Sequence, residues 1–337
     1  MRKLVVRRLL LTVLTIWGVA TAVFFMIKAI PGDEARIAAG RTATPEQIEQ
    51  ARERLGLDHN VVVQYGDYLW RLLHGDLGTS VVSFQPISAD LARVLPPTLE
   101  LVLLTMLINV LVAVPLGVVS ALRHGRSGDT ASRMIMVLGG GVPVFWLALM
   151  LQYLVGSKLG WLPLSGRNSY GLESPPVTGL ATVDALLAGN VAGFTDAVSH
   201  LLLPAIALSA PFLATVARSV RSSMVGALRA DHVAFARAKG ASANRIVWRH
   251  ALPNALVPTL TLLGMQFGWM MGAALLVESV FSIPGVGTYL NTAVTSQDTY
   301  AVLGCVLVLG LVFVLTNLIV DLLQLSLDPR TRAAVNT

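Results

Sequence analysis

The 337-residue chain is 54% hydrophobic and only 13% charged, against roughly 25% charged in soluble domains. A soluble fold could not hide that much apolar surface, so two water-soluble domains are excluded and lipid is the expected solvent. The net charge of +6 does not require nucleic acid, because the basic residues cluster between apolar runs as membrane topology demands, and the single Cys305 excludes an internal disulfide.

Arg2, Lys3, Arg7 and Arg8 precede the first apolar run, Leu9 to Ile27. A secretory signal peptide begins the same way, and Ala20-Thr21-Ala22 mimics a cleavage site. Its apolar region would span only about 7–15 residues, whereas Val23-Phe24-Phe25-Met26-Ile27 continue past that point. A retained first span is expected, with Lys28 reaching the headgroups. Residues 31–97 form the longest polar segment. There Thr44-Pro45-Glu46-Gln47 supplies an N-cap, a first-turn proline and a capping-box glutamine, and Gly56 is placed to end the helix after Ile48, Ala51 and Leu55 share a face. Val61, Tyr65, Tyr68, Leu69 and Leu72 mark a second amphipathic helix, closing at Gly75-Asp76-Leu77-Gly78. These helices either cap a bundle or meet a partner.

Further spans are expected at Thr98–Leu122, Met134–Leu159, His200–Val220, Ala255–Val277 and Tyr300–Leu323, each long enough for about 30 Å of hydrocarbon at about 1.5 Å per residue. The fold class is thus an all-α integral membrane protein of six transmembrane helices. Residues 160–199, rich in Gly, Pro and Ser, read as a loop with little regular structure. Arginines and lysines fix the orientation. The N-terminus, Arg123-Arg126-Arg133, Arg218 to Arg249 and Arg330-Arg332 share one side, while six arginines in residues 31–97 face nine carboxylates. Basic loops stay cytoplasmic, so both termini are expected inside. The chain divides into 1–97, with the first span and surface helices, a core of 98–327 and a short tail of 328–337.

A cytoplasmic connection, residues 222–253, holds Asp231 to Pro253 between two spans. Ala236-Arg237-Ala238-Lys239-Gly240 reads as a short helix stopped by glycine. Val233 and Ala236 share a face, Phe235 and Ala238 adjoin it, and Arg237 and Lys239 point elsewhere. Such a helix suits docking into a groove on a soluble partner. On the fifth span, Gly264, Gly268 and Gly272 form a strip of bare backbone for close helix packing, inside this chain or with a second membrane subunit. Glu278-Ser279-Val280-Phe281-Ser282-Ile283-Pro284-Gly285-Val286-Gly287 cannot continue a span, so the chain turns there. Asn109, Gln152, Gln266 and Asn317 are polar within spans; such amides either line a pathway or bridge helices. Asp321, sharing a face with Asn317, is placed to bond a loop arginine.

The Asp231–Pro253 connection resembles the "EAA" loop of bacterial ABC-importer membrane subunits (Glu-Ala-Ala, three residues, Gly, nine residues, Ile, one residue, Leu-Pro). Aligned on Gly240, it keeps Ala236, Leu252 and Pro253 but has Ala234, Phe235 and His250 for the Glu, first Ala and Ile. The chain is similar to the dipeptide/oligopeptide (and nickel) permease branch through Pro31-Gly32-Asp33, Leu55-Gly56-Leu57-Asp58, Gly75-Asp76-Leu77-Gly78, Leu95 to Leu101, Pro143-Val144-Phe145, Glu278 to Gly287, Asn317 with Asp321, and Asp328-Pro329-Arg330. That resemblance implies a type I importer permease fold in the bacterial inner membrane. It also implies a second homologous permease subunit, two ABC ATPases that bind ATP and magnesium, and an extracytoplasmic solute-binding protein. Val233, Phe235, Ala236, Arg237, Lys239 and Gly240 would form the ATPase-coupling helix.

No chemistry of its own is legible. A P-loop ends Gly-Lys-Ser/Thr, and none of Lys3, Lys28, Lys158 or Lys239 follows glycine. No histidine begins His-Glu-x-x-His, and Gly125-Arg126-Ser127-Gly128 lacks the final spacing of Gly-x-Ser-x-Gly. Catalytic residues, metal sites and resident cofactors are therefore not expected. An ATP-driven importer subunit for short peptides or similar solutes is the leading expectation; a self-sufficient secondary transporter or channel, or a polytopic membrane enzyme, are the alternatives.

Overall fold

The computed structural model describes residues 2–29, 33–40, 42–123 and 141–327. Among them five helices are long and apolar enough to cross a bilayer: α1 (Arg2–Ala29), α5 (Ile87–Leu122), α8 (Val191–Leu228), α10 (Ala243–Phe281) and α12 (Thr299–Leu327). A shorter apolar helix, α6 (Val144–Lys158), is the described part of the expected span Met134–Leu159; residues 134–140, Arg126, Arg133 and the tail 328–337 lie outside the described residues. Six shorter helices complete the order: α2 (Glu34–Ala39), α3 (Pro45–Leu55), α4 (Val61–Leu73), α7 (Ala181–Leu187), α9 (Asp231–Ala238) and α11 (Val286–Thr295). The extended backbone among the described residues pairs only at Thr79 and Pro86.

Lipid gives one apolar helix no hydrophobic reason to seek another, so close backbone packing must hold the bundle. α5 and α8 run together, α10 lies against α8, and α12 packs on both α10 and α1. Where α5 meets α8, a Cβ added at Gly117 would lie 2.7 Å from Val220 and 2.8 Å from the Ala217 carbonyl oxygen. Ala113, Ala205, Ala207 and Ala217 are fully buried and keep the same backbones close.

The two surface helices form as expected. Thr44 Oγ1 accepts from the Gln47 N–H, Gln47 Oε1 accepts from the Thr44 N–H at 2.9 Å, and Gly56 closes α3 at φ +61°. α4 caps the bundle by packing on α1. The Tyr65 and Thr21 hydroxyl oxygens are 2.7 Å apart, the Phe24 ring lies 5.2 Å and 5.4 Å from the rings of Tyr65 and Tyr68, and Lys28 bonds Gln64.

Two boundaries differ from expectation. α5 starts at Ile87, well before Thr98, because buried Ile87 and Leu91 extend its packed face through Pro96 and Pro97. Tertiary packing there outweighs the missing proline donors. Residues 160–199 are more ordered than a plain loop, holding α7 and the start of α8. Asp184 accepts from the Thr178 N–H and hydroxyl, both at 2.7 Å, and from the Gly179 N–H at 3.0 Å; Asn190 caps α8 through the Gly193 N–H at 2.8 Å. Arg167 donates to buried Glu100 of α5 at 2.8 Å and to the Gly179 carbonyl at 2.6 Å, latching this segment onto the bundle.

Candidate functional site

α9 leaves its preceding span at Arg229 and is closed by a Schellman motif. The Gly240 N–H donates to the Arg237 carbonyl at 3.0 Å and the Ala241 N–H to the Ala236 carbonyl at 3.1 Å, with Gly240 at φ +79°. Ser242 then caps the turn Ala243–Arg245, and a π-helical segment, Ile246–Ala251, leads into the long α-helical part of α10, Leu252–Phe281. The helix therefore runs continuously from 243, rather than starting at Ala255.

Val233 and Ala236 face inward, 0% and 9% exposed, and α9 rests on the π segment, where Ile246, Val247 and Ala251 are buried. His232 Nε2 lies 3.4 Å from the His250 carbonyl oxygen, and Asn254 Nδ2 donates to that same oxygen at 2.9 Å. The outer side carries Phe235, 60% exposed, with Lys239 Nζ 4.4 Å from its ring centroid, together with exposed Arg237 and Gly240. Of the six expected coupling residues, Val233 and Ala236 thus hold the helix to its own chain, and the other four face outward. Trp248, 53% exposed in the π segment, was missed by sequence reasoning. An aromatic between Arg245 and Arg249 in a polar connection was the available signal.

The amides within the spans separate by role. Gln152 Nε2 donates to the Leu164 and Val280 carbonyls at 2.8 Å and 3.0 Å, bridging α6 to the following loop and to α10. Gln266 donates to the Phe212 carbonyl at 3.3 Å, tying α10 to α8, and its Oε1 has no partner among the described residues. Asn317 bonds only its own helix, at the Phe313 carbonyl. Asn109 is fully buried, and neither its oxygen nor its nitrogen has a hydrogen-bond partner among the described residues. Asp321 pairs with Arg8 of α1 at 2.5 Å, a helix residue rather than the expected loop arginine.

The glycine strip is mostly used inside the chain. A Cβ at Gly264 would lie 2.8 Å from Val320, and one at Gly268 would overlap the Phe313 ring, both on α12; Gly272 has nothing within 4 Å. Intrachain packing accounts for the first two, and only Gly272 is left open for a second subunit.

Glu278 is a buried node that sequence reasoning treated only as part of a turn. The Thr98 hydroxyl donates to its Oε1 at 2.5 Å, the Gly287 N–H to its Oε2 at 2.7 Å, and the Val286 N–H to Thr98 Oγ1 at 2.9 Å. A Cβ at Gly285 would overlap the carboxylate, and one at Gly287 would lie 2.5 Å from Leu275 Cα. The glycines are there to let the chain close over the acid. The node joins α5, α10 and α11. Among the described residues no group of three or more His, Cys, Asp or Glu is placed to hold a metal ion.

Residues 113–333 match the family of binding-protein-dependent transport system inner membrane components, and residues 1–102 match its N-terminal region model. The chain is 39% identical to a dipeptide transport system permease protein of Alkalihalophilus pseudofirmus, over 97% of this chain and 98% of the relative. It is 41% identical to a probable D,D-dipeptide transport system permease protein of Escherichia coli, over 94% of each. A di/tripeptide transport system permease protein of Pseudomonas aeruginosa is 39% identical, over 98% of this chain and 99% of the relative.

Proposed function

This chain belongs to the family of binding-protein-dependent transport system inner membrane components, and from that premise we propose that it is one permease subunit of an ATP-driven importer of short peptides. It crosses the inner membrane six times with both termini in the cytoplasm. It pairs with a second, homologous permease subunit and is served by an extracytoplasmic solute-binding protein and two ABC ATPases. ATP and magnesium are bound by those ATPases, since this sequence carries no P-loop of its own.

The observation that supports the reading is the outward side of α9. A helix fixed to its own chain by Val233 and Ala236 presents Phe235, Arg237 and Lys239 at the end of the bundle where the arginines gather. Nucleotide binding closes the ATPases, a surface cleft on one of them carries α9 with it, and the attached spans move as rigid bodies. Peptide cargo is favoured because the similar proteins are named for dipeptides and tripeptides.

The test uses the assembled importer in liposomes. Replacing Phe235 with alanine removes an exposed side chain at little cost to the fold. It is expected to lower peptide uptake per ATP hydrolysed by about tenfold, the loss of one apolar anchor. Unchanged coupling in that variant overturns the role of α9. Uptake by the purified chain alone, driven by an ion gradient, overturns the importer reading in favour of a secondary transporter.

A further inference from the structure

Three neighbouring cavities at the end of the bundle formed by α3, α4 and the start of α12 share lining residues from one to the next. The outermost, about 330 Å³, lies between α3 and α4, and its only charged lining groups are Arg54 and Arg71. Neither guanidinium forms a hydrogen bond or ion pair among the described residues. Arg71, Gly78 and Tyr300 also line a small middle cavity of about 60 Å³ that carries Lys28 and Asp76; one Asp76 oxygen accepts from the Gly78 N–H. Leu72, Leu77 and Leu307 line both that cavity and a groove of about 430 Å³ between α1, α5 and α12. Ser88 is the one polar side chain lining the groove.

The groove lies at the depth of the spans α1 and α12, where its neighbours are hydrocarbon, and the two arginines sit at its headgroup end. A groove that is apolar apart from Ser88, with Arg54, Arg71 and Lys28 set against the single carboxylate of Asp76 in the cavities at its polar end, has the polarity of a lipid with an anionic head. Guanidinium groups match phosphate oxygens bidentately, and hold them more tightly than an ammonium would. An apolar helix from a partner subunit would fill the groove but leave the arginines without a counter-charge. We propose that these cavities bind an anionic phospholipid, with its phosphate between Arg54 and Arg71 and one acyl chain along the groove against Val19, Leu95 and Leu307.

The test is native mass spectrometry of the full chain released from bilayers holding equal phosphatidylglycerol and phosphatidylcholine. Phosphatidylglycerol is expected to be retained over phosphatidylcholine by about tenfold, the worth of one charge-assisted bond. R54A/R71A is expected to lose that preference and R54K/R71K to keep part of it. On the unchanged chain, phosphatidylglycerol with a photoreactive acyl chain is expected to label peptides containing Val19 and Leu307. Equal retention of the two lipids by the unchanged chain overturns the proposal. So does labelling spread evenly around the bundle, full displacement by soluble glycerol phosphate, or cross-linking of Val19 to a partner subunit's helix.

Discussion

An acid without water contact is tolerated at Glu278 because both of its oxygens receive donors, one from Thr98 far away in α5 and one from Gly287 just past the following turn. Replacing Thr98 with valine removes one donor and leaves the acid short of a partner, so a loss of about 1–3 kcal/mol is expected, read as a lower melting temperature in detergent. Gly285→Ala is expected to cost more than Thr98→Val, because the added carbon overlaps the carboxylate itself. Asp184 offers a pH handle outside the spans. Burial pushes its carboxyl up, but the bonds from Thr178, Val177 and Gly179 outweigh burial and hold it below the ordinary carboxylate value. A folded carboxyl with a lowered pKa stabilises above the unfolded value of about 3.9 and loses that contribution as pH falls through the folded one. Protease cleavage between Arg167 and Leu180 is therefore expected to rise below about pH 4, and Asp184→Asn is expected to show the raised cleavage already at neutral pH. Asn109 separates two roles. Leucine in its place is expected to be neutral or stabilising, since no hydrogen bond is lost; loss of uptake with stability intact would place Asn109 on the solute pathway.

Between elements, legibility follows the range of the interactions. The start and stop of α3 could be read directly, because Thr44 and Gln47 act within one turn at its start and Gly56 acts on the last turn at its end. The inward face of α9 was readable for the same reason, through the spacing of Val233 and Ala236. What could not be read depends on partners far along the chain. The early start of α5 through two prolines rests on burial of Ile87 and Leu91 against other helices, and the Thr98–Glu278 bond joins positions that no local pattern connects. The glycine strip shows the same limit: four-residue spacing announced a packing face, but not whose helix occupies it. Gly268→Val is expected to pry α12 from α10 and to unfold at lower temperature, whereas Gly272→Ala is expected to leave the melting temperature of the isolated chain unchanged. The Arg8–Asp321 pair adds little to this contact. Its groups are 47% and 25% exposed, and an exposed pair contributes about 0–1 kcal/mol.

For the whole molecule, composition and charge placement were enough to read a multi-pass membrane bundle, and the family match adds that it is an inner-membrane transport component. Its working form needs other chains, so gentle extraction of the tagged importer is expected to bring nucleotide-hydrolysing subunits with it. α10 spans 39 residues, about 58 Å at helical rise, from the turn beside Gly240 to the Glu278 node. Treated as a stiff beam, it amplifies. A swing of about 5° imposed at the α9 end carries the opposite tip through about 5 Å. On the proposed coupling, work done at the α9 end would arrive at the far end of α10 as a sideways displacement, and the clasp around Glu278 would be the first joint to feel it.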